Sequence, residues 1–157
     1  DYAGYLERNA AERMPPAGRF VYRDGTDLGP NKGIIHYTVG QRKRLGIALG
    51  HPVFVTGIDA RTNTVYIGEN EDVFADTLTC RELNFMAISE KELPIGESRR
   101  AEGKIRYGAK AVPCTITRTG EDELTARFDS KVRAITPGQA AVFYEGEYIL
   151  CGGSICG

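Results

Sequence analysis

Between residues 101 and 151 six short β-prone runs, 101–107, 112–118, 124–128, 132–135, 140–144 and 148–151, follow one another with little between them but turns. Gly120-Glu121-Asp122, Pro137-Gly138 and Glu145-Gly146 supply turn residues between some of them. A further run, 78–85, opens this half, and a loop containing Pro94 follows it. This spacing constrains the fold more than any other feature. So short a sheet would expose unpaired edges, and closing it removes them. The pattern therefore predicts a small closed antiparallel β-barrel over residues 77–157.

The upstream half is β-rich as well. Gly18 to Arg23 reads as a strand that ends in Asp24-Gly25, a dipeptide suited to a hairpin turn. Val53-Phe54-Val55 leads to Ile58, residues 60–63 turn the chain, and Val65-Tyr66-Ile67 returns. The polar, acidic stretch 68–76 makes the best internal boundary. Tyr2, Tyr5, Leu6 and Ala10 fall at helical spacing ahead of Pro15-Pro16, which stops a helix there. The predicted organisation is a helix or linker at 1–17, a central β-rich domain at 18–76 and the barrel at 77–157. The fold class is mostly β, with a short N-terminal helix. With 157 residues in all, each domain is near the lower limit for an independent core.

Residues 32–47 are the most unusual stretch. Thr38 followed by Gln41 matches a capping box, which predicts a short helix starting near Val39. Arg42, Lys43 and Arg44 would then spread basic groups over a wide arc of that helix. The alternative is a solvated charged turn. His36 is more often packed in a strand than used as a ligand.

Signs of catalysis are absent from the sequence. It contains no phosphate-binding P-loop, no SGGxDS-type pyrophosphate loop, and no HExxH, GxSxG or GxGxxG motif. Two histidines, His36 and His51, leave little for acid–base or metal chemistry, and no metal site is expected. Cys80, Cys114, Cys151 and Cys156 have neither CxxC spacing nor a histidine pair. Cys80 and Cys114 read as small buried hydrophobes; Cys151 and Cys156 could pair or react, but disulfides are uncommon in cytosolic proteins, so this is the less favoured reading. No apolar run reaches the roughly 18–20 residues needed to span a bilayer, so no membrane partner is expected.

Polyanion binding is better supported. Twenty Lys and Arg against 21 Asp and Glu leave a formal charge of −1. Within 99–110, however, Arg99, Arg100, Lys104, Arg106 and Lys110 face only Glu102, and residues 42–44 add three more cations. Such clusters on a neutral chain point to a localised polyanion contact. Arg106-Tyr107 joins a guanidinium fork to a ring able to stack on a base, a pairing suited to RNA. A solvated strand face explains the same charges without RNA.

Three long motifs then stand together. They are Gly33-Ile34-Ile35-His36-Tyr37-Thr38-Val39-Gly40-Gln41-Arg42-Lys43 with Leu45-Gly46-Ile47, Lys104-Ile105-Arg106-Tyr107, and Ala134-Ile135-Thr136-Pro137-Gly138-Gln139-Ala140-Ala141-Val142-Phe143-Tyr144. Their order and spacing resemble the central and C-terminal domains of tRNA-specific 2-thiouridylases, from Gly18 onward. The resemblance implies a translation-factor-like barrel in an enzyme that thiolates C2 of the wobble uridine. In that family an N-terminal ATP-pyrophosphatase domain adenylates the C2 oxygen, a cysteine persulfide delivers sulfur, and a second cysteine supports the exchange.

By this resemblance those catalytic parts lie ahead of Asp1, and the absence of an initiating Met fits that expectation. No catalytic residue is expected in this chain, and none of its four cysteines matches a catalytic one. The chain alone is expected to be inactive and to hold no cofactor, ATP being implied for the missing domain. Implied partners are tRNA, a sulfur-relay donor protein and the chain's own N-terminal ATP-pyrophosphatase domain, in the cytoplasm. The tRNA-contacting residues carried over are Arg106, Tyr107 and Gln139, with Arg42, Lys43 and Lys104 as weaker candidates. Two departures stand out. Arg44 occupies a position where the family usually has Gly, and Leu150-Cys151-Gly152-Gly153 replaces a more Gly-rich ending. The competing reading is a non-catalytic β-barrel protein-interaction module, and a thiol enzyme using Cys151 and Cys156 is a third.

Overall fold

Alternation of apolar and polar residues builds the larger of two β units. In the computed structural model, which describes residues 18–156, the chain divides between Val73 and Phe74 into two units. The expected N-terminal helix lies outside the described residues. No described helix is long and apolar enough to cross a membrane.

The second unit has six strands: β5 (Phe74–Phe85), β6 (Ser98–Lys104), β7 (Val112–Gly120), β8 (Glu123–Arg133), β9 (Ala140–Glu145) and β10 (Tyr148–Ile155). They close into an antiparallel barrel in the order β10-β5-β8-β7-β6-β9. Every second residue points inward, so Leu78 and Cys80, Cys114 and Ile116, Leu124, Ala126 and Phe128, and Ala141 and Phe143 form one core. The outward residues between them are Thr79, Thr115, Thr125, Arg127 and the half-buried Val142, none of them fully buried. Cys80, Cys114 and Cys151 are fully buried within this core, as a small hydrophobe would be, whereas Cys156 is exposed and all four are unpaired.

Several strand limits differ from those read in the sequence. The runs 124–128 and 132–135 lie in one strand, β8, in which the exposed Asp129-Ser130 falls in a register shift between Thr77↔Arg127 and Ala75↔Val132, and pairing with β5 resumes as far as Phe74↔Arg133. β6 begins at Ser98 and ends at Lys104, since Arg99 and Arg100 pair with β7 while Arg106 to Ala109 form a turn.

The last inward position of β7 is Arg118, not an apolar residue. It is 5% exposed. Its guanidinium donates to the carbonyls of Glu90, Leu93, Gly120 and Glu121 at 2.7–3.3 Å and lies 5.2 Å from the centre of the Phe85 ring. One cation thus satisfies four carbonyls from two loops and closes that end of the barrel over the core.

The first unit is a four-stranded sheet of β1 (Arg19–Tyr22), β2 (Asp27–Pro30), β3 (Phe54–Asp59) and β4 (Thr64–Gly68), in the order β2-β1-β4-β3. β1 runs parallel to β4, and the other pairs are antiparallel. Phe20, Val55, Val65 and Ile67 form its core, joined by Tyr37, Leu45 and Val53 from the long loop before β3. Buried Asn31 ties that loop to the sheet through four side-chain bonds. Its Oδ1 accepts from Gly18 N and Gly33 N, and its Nδ2 donates to the carbonyls of Arg19 and Asn63. Every hydrogen-bonding site that a buried amide side chain must satisfy is engaged.

The helix expected near Val39 is not formed. Gln41 Oε1 does accept from Thr38 N at 2.9 Å, as a capping box requires, but Gly40 has φ 92°, outside the helical region. Thr38 to Gln41 is instead a turn closed by Gln41 N donating to Thr38 O at 3.0 Å, with glycine at the position that needs positive φ. Gly40 N then donates to Val55 O, and Val55 N donates to Gln41 O, which moors the loop to β3.

Candidate nucleic-acid interface

β6 ends and β9 begins beside one another, as the pairing Lys104↔Val142 shows. The chain beyond β6 therefore emerges next to the chain that enters β9. Arg106 and Tyr107 lie in the first of these connections, Gln139 in the second. Tyr107, at 106% relative exposure, packs on nothing. It lines a depression of about 520 Å³ together with Lys104, Arg106, Ala140, Val142 and Tyr144. A ring held out beside cations has the form of a stacking platform.

Arg106 is half-buried and partly engaged. Its Nη2 donates to the carbonyl of Arg133 at 2.5 Å and of Ala134 at 2.8 Å, at the end of β8. Thr136 Oγ1 donates to the same Ala134 oxygen, and Ala134 has φ 58°. The guanidinium is thereby anchored by one nitrogen, and its remaining N–H groups make no hydrogen bond among the described residues. Arg106 thus holds the Tyr107 turn against the end of β8. Lys104 is half-buried, with Nζ 5.5 Å from the centre of the Tyr144 ring.

Gln139 is positioned by local chemistry. Thr136-Pro137-Gly138-Gln139 is a type II turn: proline suits its second position, Gly138 has φ 92° at its third, and Gln139 N donates to Thr136 O at 3.2 Å. Gly138 N and Gln139 O bond to Ile155, so the turn is held to β10 and the exposed Gln139 amide stands at the start of β9.

The basic cluster is weaker than its sequence suggests. Arg99 pairs with Glu145 at 3.2 Å, and Arg100 forms a two-nitrogen fork on Asp129 at 2.7 and 2.8 Å. The hydrogen bonds from Arg100 hold the Asp129 carboxyl below its usual range. Both acids sit on strands distant in sequence, so counting charges within 99–110 could not reveal them. In return, the fold brings Lys131 and Arg133 from the end of β8 to Arg106 and Lys110, around a second depression of about 270 Å³ floored by Ile105, Val112 and Phe128. No local signal marked Lys131 or Arg133. Arg42 and Lys43 belong to the first unit. There Lys43 and Arg44 line a cleft with Lys32, whereas Arg42 does not.

Among the described residues no group of three or more His, Cys, Asp or Glu side chains is placed to hold a metal ion. Burial pushes the thiol of Cys80 up to about 12 and those of Cys114 and Cys151 to about 11. A buried, protonated thiol is a poor nucleophile, which counts against the thiol-enzyme reading.

Two family models match the chain, one described as an aminomethyltransferase β-barrel domain over residues 75–155 and one as a tRNA methyl transferase PRC-barrel domain over 4–69. Among curated relatives, tRNA-specific 2-thiouridylase MnmA of Lachnoclostridium phytofermentans is 46% identical over 155 residues. Proteins of the same name from Clostridioides difficile and Acetivibrio thermocellus are each 44% identical. In each comparison 99% of this chain is covered, and it spans 42% of the relative's length.

Proposed function

The chain belongs to the family of tRNA-specific 2-thiouridylases, and on that premise we propose that it is the part of such an enzyme that holds tRNA. The observation that carries this reading is the bare Tyr107 ring beside Arg106 and Lys104, at the barrel rim where Gln139 stands. Tyr107 stacks on an unpaired base and Arg106 grips a phosphate with the edge of its guanidinium that Ala134 and Arg133 leave open. Gln139 supplies an amide that both donates and accepts. Lys104 adds charge to the same depression. Arg42 and Lys43 add charge from the first unit.

The chemistry proposed for the whole enzyme is sulfur transfer to C2 of the wobble uridine. Adenylation makes the C2 oxygen a competent leaving group, a cysteine persulfide supplies the sulfur, and AMP departs. ATP and a sulfur-donor protein serve the portion of the relatives that this chain does not span, and no step of that chemistry is assigned to its residues. The cytoplasm is the compartment this reading implies.

The test is salt-dependent binding of a tRNA transcript. Tyr107→Ala should weaken it by about 1–3 kcal/mol, the usual contribution of one stacked base, with an unchanged melting curve. Equal affinity of the two proteins across a salt series would overturn the assignment. The apolar depression formed by Met86, Ala140, Val142 and Ile149 favours the second reading, a protein-interaction module. Failure to bind tRNA alongside capture of a separately produced ATP-pyrophosphatase domain would support it.

A further inference from the structure

We propose that the first unit carries a separate phosphate-binding cleft, formed by Lys32, Lys43 and Arg44 beside His36, that holds the sugar–phosphate backbone of RNA. This rests on the reading of the chain as an RNA-holding module, and it adds a contact that the barrel rim does not supply. Lys32 comes from the stretch after β2 and Lys43-Arg44 from beyond the Thr38–Gln41 turn. The loop folds them around one cleft of about 540 Å³, with Tyr37 in its wall. No carboxylate lines it.

The charge there is uncompensated. Four of the unit's described acids pair with other bases: Asp27 with Arg19 at 3.0 Å, Glu71 and Asp72 with Arg23 at 3.2 and 3.3 Å, and Glu69 with His51 at 2.9 Å, while Asp24 and Asp59 accept from the backbone N–H groups of Thr26 and Arg61. Lys32, Lys43 and Arg44 form no ion pair among the described residues. Cations gathered without a counter-charge repel one another, and an anion between them removes that cost. The barrel cluster contrasts with this, because Arg99 and Arg100 are already paired.

The walls are also ordered before any ligand arrives. Asn31 ties Gly33 to Gly18, Arg19 and Asn63, Lys32 N donates to Tyr37 Oη at 3.0 Å, and the Tyr37 ring meets Phe20 edge-on at 5.2 Å. Gln41 clamps the other side, accepting from Thr38 N and donating through Nε2 to Lys43 O at 2.8 Å. Arg44 enters the cleft from a left-handed backbone conformation, φ 63°. All three cations are exposed long side chains, which suit a chain of phosphates held by charge.

The experiment measures binding of an unmodified tRNA transcript to the 157-residue chain by fluorescence anisotropy over a salt series. Lys32→Ala/Lys43→Ala/Arg44→Gly should weaken binding at low salt by about ten-fold or more and flatten the log–log salt slope by about two to three. Arg44→Gly alone should flatten it by about one. Because glycine relieves the backbone at that position, a loss there is not misfolding. Lys43→Arg, which keeps the charge, should leave the slope unchanged. If the triple variant binds like the parent while Tyr107→Ala binds more weakly, the cleft is overturned and the rim stands. If no variant differs, or the parent ignores tRNA, the RNA-holding reading falls with it. Inorganic pyrophosphate that binds the parent but not the triple variant, while the two proteins bind tRNA equally, would show a small-anion site and overturn the RNA assignment.

Discussion

Arg44 has φ 63°, a conformation that brings Cβ close to its own carbonyl and costs a non-glycine residue roughly 1–2 kcal/mol. Resemblance to the family leads one to expect glycine at this position, and the backbone supplies the reason. Arg44→Gly should therefore stabilise the chain by about 0.5–1 kcal/mol, part of the gain being offset by the greater freedom of glycine in the unfolded state. A higher denaturant midpoint with an unchanged m-value is the expected result, and a lower midpoint would show that the arginine side chain contributes packing that outweighs the strain. If the proposed cleft holds RNA, binding and stability oppose each other at Arg44. Tyr107 is a related case: its unpacked ring adds little to the fold, and the proposed base contact is what would account for it.

At the scale of elements, the barrel strands were legible because alternation survives in the sequence, and Cys114, Ile116, Leu124, Ala126 and Phe128 all fall on the inner face. Their limits were less so. The helix expected near Val39 does not form: the Gln41 side chain accepts from Thr38 N as a capping box requires, but Gln41 N donates to the Thr38 carbonyl in a turn, and Gly40 turns the chain the other way. A capping box describes side chains competing for backbone groups, and a turn satisfies the same groups. Arg118 was unremarkable in sequence, one polar residue at the end of a strand, and proves to be the closure of the barrel end. Arg118→Met keeps much of the volume but leaves four carbonyls without their donor. It should destabilise the chain by on the order of 3 kcal/mol, read from the denaturant midpoint. Arg118→Lys should recover only part of this, because a single ammonium cannot reach all four carbonyls. Equal stability of Arg118→Met and the parent would mean that water replaces the guanidinium there.

For the whole molecule, the cysteines yield a count that tests both cores and chemistry. Cys80, Cys114 and Cys151 are buried with their thiols pushed up to about 12, 11 and 11, so at neutral pH they stay protonated and shielded. Native protein should take up one equivalent of a thiol reagent, at the exposed Cys156, and four after unfolding. Rapid native uptake of two or more would contradict the closed barrel and reopen a thiol role for Cys151. The near-zero total charge conceals an uneven distribution. Arg19, Arg23, Arg81, Arg99 and Arg100 are paired with acids, whereas the cations of the first unit's cleft are not.

The sequence by itself determined what depends on neighbours along the chain. That includes the mostly β class, the barrel, the Asp24-Gly25 and Pro137-Gly138 turns, and the motifs that place the chain in its family. Period-two alternation and turn chemistry act over a few residues, so they can be read directly. Only the tertiary structure decided which charges are free. Glu145 and Asp129 cancel Arg99 and Arg100 from other strands, Arg133 and Ala134 anchor Arg106 from across the barrel, and Lys32 joins Lys43 and Arg44 through a loop pinned by Asn31. Electrostatic partners are set by distance in space, which closing the barrel and folding the loop establish and which order along the chain does not encode.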